Sequence, residues 1–144
     1  MTLNQIYSEI TSVLQSHQML NTVQGITPVE WINQGQVPVY PVANFTINSG
    51  SINAGRELVY KIDFWFLDQS GRDGEFEQNV ISEMQGVAYD IIAQLRRLNN
   101  PWTISNNISW QAVSEKFEDY LSGVTLSLDL SIVGSYGACD TPTI

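Results

Sequence analysis

A two-layer α+β domain is the fold class this sequence predicts. Its antiparallel or mixed sheet has about four strands and two helices on one face, in the order α-β-β-α-β-β. Three observations lead there. Residues 124–132 alternate strictly, with Val124, Leu126, Leu128, Leu130 and Ile132 against Thr125, Ser127, Asp129 and Ser131, the period of a half-buried strand. Residues 56–67 alternate in the same way, with Leu58, Tyr60, Ile62, Phe64 and Phe66 on one side and Val59, Lys61, Asp63, Trp65 and Leu67 on the other. Two further segments carry one apolar stripe each at helical spacing. Alternating strands suit an antiparallel or mixed sheet, and two one-sided helices suit cover over a single face.

The first helix runs from Leu3 to about Leu20, with Leu3, Ile6, Tyr7, Ile10, Val13, Leu14 and His17 on its stripe. Thr2 followed by Gln5 fits a capping box at its start. Residues 21–41 hold Gly25, Pro28, Gly35, Pro38 and Pro41, which exclude a long helix and leave an irregular segment with a short turn around Pro28–Ile32. Val42–Ile47 alternates as a strand, and residues 48–55, NSGSINAG, read as the connection to the strand of 56–67.

After the loop 68–74, a second helix is expected from about Glu75 to Leu98. Its stripe is Phe76, Val80, Met84, Val87, Ile91, Leu95 and Leu98, with Asp73 as a candidate cap. Glu75 and Glu77 suit its N-terminal dipole, and Arg96 and Arg97 its C-terminal end. Asn99-Asn100-Pro101 stops it, a short extended piece follows at Trp102–Ile104, and Ile108–Phe117 forms the strand before 124–132. The 144 residues fit one domain, 1–144, with a short tail at 134–144.

Composition narrows the function classes. Fifteen acidic residues against six basic ones give a net charge of −9, which disfavours phosphate contacts with DNA or an anionic membrane. One cysteine, Cys139, and one histidine, His17, leave no multi-cysteine zinc site and no histidine pair. The N-terminus has no basic n-region, and no apolar run is long enough to span a bilayer, so the expected setting is the interior of the producing cell or a particle assembled there.

Catalytic patterns for nucleotide binding, serine hydrolysis, zinc proteolysis and thiol redox chemistry are absent from the sequence. Residues 68–77, DQSGRDGEFE, carry Asp68, Ser70, Asp73, Glu75 and Glu77. An EF-hand loop needs glycine at its sixth position, where this loop has Asp73. The carboxylate pairs Asp63 with Asp68 and Glu118 with Asp119 have no hydrolase spacing. His17 reads as a helix-end residue and Cys139 as a small packing residue. Trp31, Trp65, Trp102 and Trp110 are too many for a small core to hide, and Trp65 is the interface candidate among them.

The order of elements, the second helix ending in LRRLNNP, and the closing FEDYLSGVTLSLDLSIV at 117–133 resemble the tail terminator and neck (head–tail joining) proteins of tailed bacteriophages. The resemblance implies a virion structural protein, assembled in the host cytoplasm and working without cofactor or catalytic residues. It would form a homo-oligomeric ring, commonly a hexamer, against portal, neck or tail-tube proteins. DNA would pass through such a ring without stable binding. A collar or ring protein of a short-tailed phage is the variant within that class. A small-ligand or peptide-binding α+β module, with the polar sheet face as its floor, is the alternative outside it. A metal-dependent enzyme using Asp63, Asp68 or residues 73–77 is a third reading. The residues expected at a subunit interface or facing a channel are Trp65, Lys61, Asp63, Thr125, Ser127, Asp129 and Ser131.

Overall fold

The computed structural model describes residues 3–20, 22–24, 40–53, 57–69, 77–97, 102–116 and 121–133. The elements are α1 (Leu3–Ser16), β1 (Thr22–Gln24), β2 (Val42–Ile52), β3 (Glu57–Gln69), α2 (Glu77–Arg97), β4 (Trp102–Ile104), β5 (Ser109–Lys116) and β6 (Leu121–Val133). They make one mixed α+β sheet in the order β1-β2-β3-β6-β4, with β5 also paired to β6. β4 and β5 lie end to end along one edge of β6, opposite residues 130–132 and 121–127 respectively. The sheet is therefore two hairpins, β2–β3 and β4/β5–β6, joined by pairing of β3 with β6. Those pairs are antiparallel, and among the described strands only the short β1 runs parallel, beside Val42–Asn44 of β2.

The alternation sorts the two faces as its period requires. Across the sheet, rows such as Phe45–Phe64–Leu126 and Ile47–Ile62–Leu128 line up on one face. α1 and α2 close over it, and Ile6, Ile10, Val13 and Leu14 join Val80, Met84, Val87, Ile91 and Leu95 in one core with these strands. Each fully buried side chain of this size is worth about 1.5–3 kcal/mol, which fixes the rotation of both helices about their axes. Phe45 stacks on Phe64 at 6.0 Å between ring centres, and Phe64 on Phe66 at 5.9 Å. Tyr7 of α1 meets Phe45 at 5.3 Å.

Some boundaries differ from the sequence expectation. The hairpin connection expected at 48–55 is strand as far as Ile52, with an irregularity between Ile47 and Ser49 that absorbs one residue. Gly50 permits this, because a Cβ there would collide with the Val59 carbonyl of the partner strand. Asp68 and Gln69, expected in a loop, extend β3. α1 stops at Ser16, where the Ser16 hydroxyl donates to the Val13 carbonyl at 2.7 Å and a turn through His17 follows. β1 was not expected within the irregular segment. Its three residues are too short for a periodic signal. The Thr2 cap, the turn at 28–32, Trp31, Asp73, Glu75, Phe76, Leu98, Glu118, Asp119 and the tail with Cys139 lie outside the described residues.

Candidate functional site

On the face away from the helices the strands align in rows. Val42, Leu67, Gly123 and Val113 form one; Asn44, Trp65, Thr125 and Gln111 the next; then Thr46, Asp63, Ser127 and Ser109. Beyond the β2 irregularity come Ser49, Lys61 and Asp129, and then Ser51, Val59, Ser131 and Thr103. The interface candidates read from the sequence thus share one face of two adjacent strands, β3 and β6, placed by alternation and register.

The rows are unlike in environment. Val42, Leu67 and Val113 are buried and pack with Tyr40 and Trp65 into a second, small apolar cluster. Trp65 belongs to that cluster and is half-buried, so a large part of its ring serves the monomer's own packing. Gly123 at this end is required by close approach, since a Cβ would collide with the Phe66 carbonyl oxygen.

Toward the other end the face opens into a polar cleft of about 400 Å³, lined by Asn48, Ser49, Lys61, Asp63, Ser105, Asn107, Ser127 and Asp129. Ser127 donates its hydroxyl proton to Asp63 Oδ1 at 2.5 Å, and Asn48 Nδ2 donates to Asp63 Oδ2 at 3.3 Å and to Thr46 Oγ1 at 3.1 Å. Both carboxylate oxygens of Asp63 are thereby held. Lys61 and Asp129 face each other across β3 and β6, and among the described residues neither forms an ion pair. The Asp129 backbone is tied to the β4–β5 link, its carbonyl accepting from Ser105 N–H at 3.0 Å and its N–H donating to Ser105 Oγ at 3.4 Å.

The structure brings Lys61, Asp63, Ser127 and Asp129 together, with Thr125 and Trp65 one row away on one side and Ser131, beside Val59, one row away on the other. Asn48, Ser49, Ser105 and Asn107 were not read as part of this surface. Their signal, polar residues in a connection, does not say which face they will meet.

The carboxylates named for metal or acid–base chemistry are kept apart. Asp63 and Asp68 point to opposite faces of β3, five residues and roughly 16 Å apart along it. Burial pushes the Asp68 carboxyl above its ordinary value; the Gln69 N–H it accepts at 2.8 Å lowers it in part, and Glu83 raises it further. Among the described residues no three of His, Cys, Asp and Glu converge on a common point. His17 lies just past α1, where its Nδ1 accepts from Met19 N–H at 3.2 Å and its Nε2 meets Asp90 of α2 at 3.1 Å. It is a tie between the two helices in addition to its place at a helix end.

A second concavity lies on the helix side. Between α2 and β5 runs an apolar groove of about 350 Å³, walled by Ala88, Tyr89, Ile92 and Ala93 on one side and Ile108 and Trp110 on the other, with Leu126 as floor. Tyr89 is 71 % exposed and Trp110 48 % exposed. Trp102, by contrast, is 8 % exposed, and its indole N–H donates to the Leu95 carbonyl at 3.0 Å. It satisfies one of the free carbonyls at the C-terminal end of α2. Of the tryptophans in the described residues, Trp110 is the one left at the surface, and Arg96 braces the link beside it by donating to the Ser105 carbonyl at 2.7 Å.

No family model matches the chain, and no curated protein matches it. No helix among the described residues is long and apolar enough to cross a membrane.

Proposed function

We propose that this protein is a non-enzymatic structural subunit that assembles with copies of itself into a ring at the neck or tail end of a tailed bacteriophage, as a tail terminator or tail-completion protein. The single observation that carries the reading is the polar end of the sheet face opposite α1 and α2. There Lys61, Asp63, Ser127 and Asp129 form a polar surface on the central strands β3 and β6. Such a surface suits another protein, because its strands lose little entropy on contact and the Asp63 carboxylate is already held by Ser127 and Asn48. The net charge of −9 agrees with a ring past which DNA moves without adhering. Portal, neck and tail-tube proteins are the partners this reading implies, and a collar or ring of a short-tailed phage is its nearest variant.

Negative-stain imaging of the concentrated protein, together with mass spectrometry of purified virions from its source, tests the proposal. Annular particles and a virion-borne protein are expected. A protein absent from virions and monomeric at every concentration overturns it.

The second reading, a small-ligand or peptide-binding module, is favoured by the groove between α2 and β5 rather than by the polar face that first suggested it. It predicts a thermal shift with a bound ligand in a protein that stays monomeric.

A further inference from the structure

Among the described residues the sheet has two edges without a further partner strand, and the exposed stretch of each, Asn48–Ile52 of β2 and Ser109–Ala112 of β5, is uncharged. On one side β1 pairs only with Val42–Asn44 of β2, and the outer edge of β2 from Asn48 to Ile52 is exposed without a described partner strand. On the other, β5 pairs among the described strands with β6 alone, and Ser109–Ala112 is exposed. Sheet edges of monomeric proteins are commonly guarded by charges, especially lysine, or by proline. Asn48–Ile52 (NSGSI) and Ser109–Ala112 (SWQA) carry neither, in a chain with fifteen acidic residues.

Each edge also presents apolar surface, and both lie on the helix side of the sheet. Ile52 is 83 % exposed, and register through Leu58 and Ile132 to Trp102 places it on the helix face. Trp110 is on that face by pairing with Leu126. Among the described residues that line the groove beside Trp110 none is acidic, and Arg96 stands at it. When one sheet is extended by another, edge to edge, the faces stay continuous. Ile52 of one copy then falls on the same side as the Trp110 groove of the next.

Resting on the ring reading above, we infer that copies of this chain join head to tail: the outer edge of β2 in one copy adds to β5 of its neighbour, and Ile52 enters the groove between α2 and β5. The occupant is a second copy because the exposed stretches Asn48–Ile52 and Ser109–Ala112 and the described lining of the groove hold no acidic residue, and Glu115 lies with Lys116 toward the other end of β5, so these stretches are where two acidic chains meet with least repulsion. Because the two edges are opposite ends of one sheet, the contact is heterologous, and a heterologous contact closes a ring when its rotation permits.

Light scattering on the wild type, Ile52→Asp, Trp110→Asp and an equimolar mixture of the two variants tests this, with circular dichroism showing that the variants fold. Both positions are surface-exposed, so folding is retained. The wild type assembles, and each variant alone is a monomer with self-association weakened about tenfold or more. The mixture stops at dimers, since only one intact edge of each kind remains. A variant that assembles like the wild type, or a mixture that stays monomeric, overturns this contact while leaving the ring reading standing. A wild type that is monomeric at all concentrations overturns both.

Discussion

The two ends of the sheet face opposite α1 and α2 are built from the same strands with the same alternation, yet one is a small apolar core and the other a polar cleft. At the first end Val42, Leu67 and Val113 are buried with Tyr40 and Trp65 against them. At the second, Asp63 is held by Ser127 and Asn48, while Lys61 and Asp129 stand opposed across the β3–β6 pair. Alternation decides which face a residue joins. What that residue meets there depends on its row, and a row is set by pairing between distant strands. Stability is therefore concentrated at one end and available surface at the other.

The sharpest way to break this contrast is Leu67→Ala. Deleting a fully buried side chain from the apolar end is expected to cost about 2–5 kcal/mol, read by urea denaturation. A loss below about 0.5 kcal/mol means that this end carries no packing. Next comes Gly123→Ala in the same row. The new methyl collides with the Phe66 carbonyl and should cost about 1–3 kcal/mol in the same assay, whereas an unchanged midpoint means that the strands separate easily there.

Asp68→Asn separates burial from polarity at the end of β3. The raised carboxyl pKa means that the folded state binds the proton more tightly than the unfolded chain, so ionised Asp68 works against folding at neutral pH. The variant should melt at a higher temperature than the wild type at pH 7. The gap should close as pH falls through the folded pKa, which lies above the ordinary carboxylate value. A gap independent of pH contradicts this origin.

The smallest expected change in stability is at the open end. Asp129→Arg should leave the unfolding free energy within about 0.5 kcal/mol of the wild type and yet reduce assembly and particle infectivity. Unchanged assembly rejects the proposed role of this face.

Much of this fold was legible in the sequence because its signals are periodic. The alternation of 124–132 and 56–67 and the stripes at Ile6, Ile10, Val13 and at Val80, Met84, Val87 each report burial directly. The parallel β1 was not legible, since its three residues gain their place from Val42–Asn44 and from no pattern of their own. Residues 48–52 read as a turn because Asn, Ser and Gly favour turns, and strand pairing over-rode that preference. The candidate surface was half legible. Lys61, Asp63, Ser127 and Asp129 declare a polar face, but Ser105 and Asn107 reach the cleft only through the irregular link between β4 and β5. Trp65 looked like the exposed aromatic of this sheet and is largely absorbed by Val42, Leu67 and Val113, while Trp110 emerges at the edge. Composition counts tryptophans without saying which one the edge leaves bare.

The measurement closest to the central claim is the mass of the wild-type protein in solution by sedimentation velocity over a wide concentration range. The account predicts a single closed assembly, a whole multiple of the 16.1 kDa chain with a hexamer favoured, that persists on dilution. A species of 16.1 kDa throughout contradicts it.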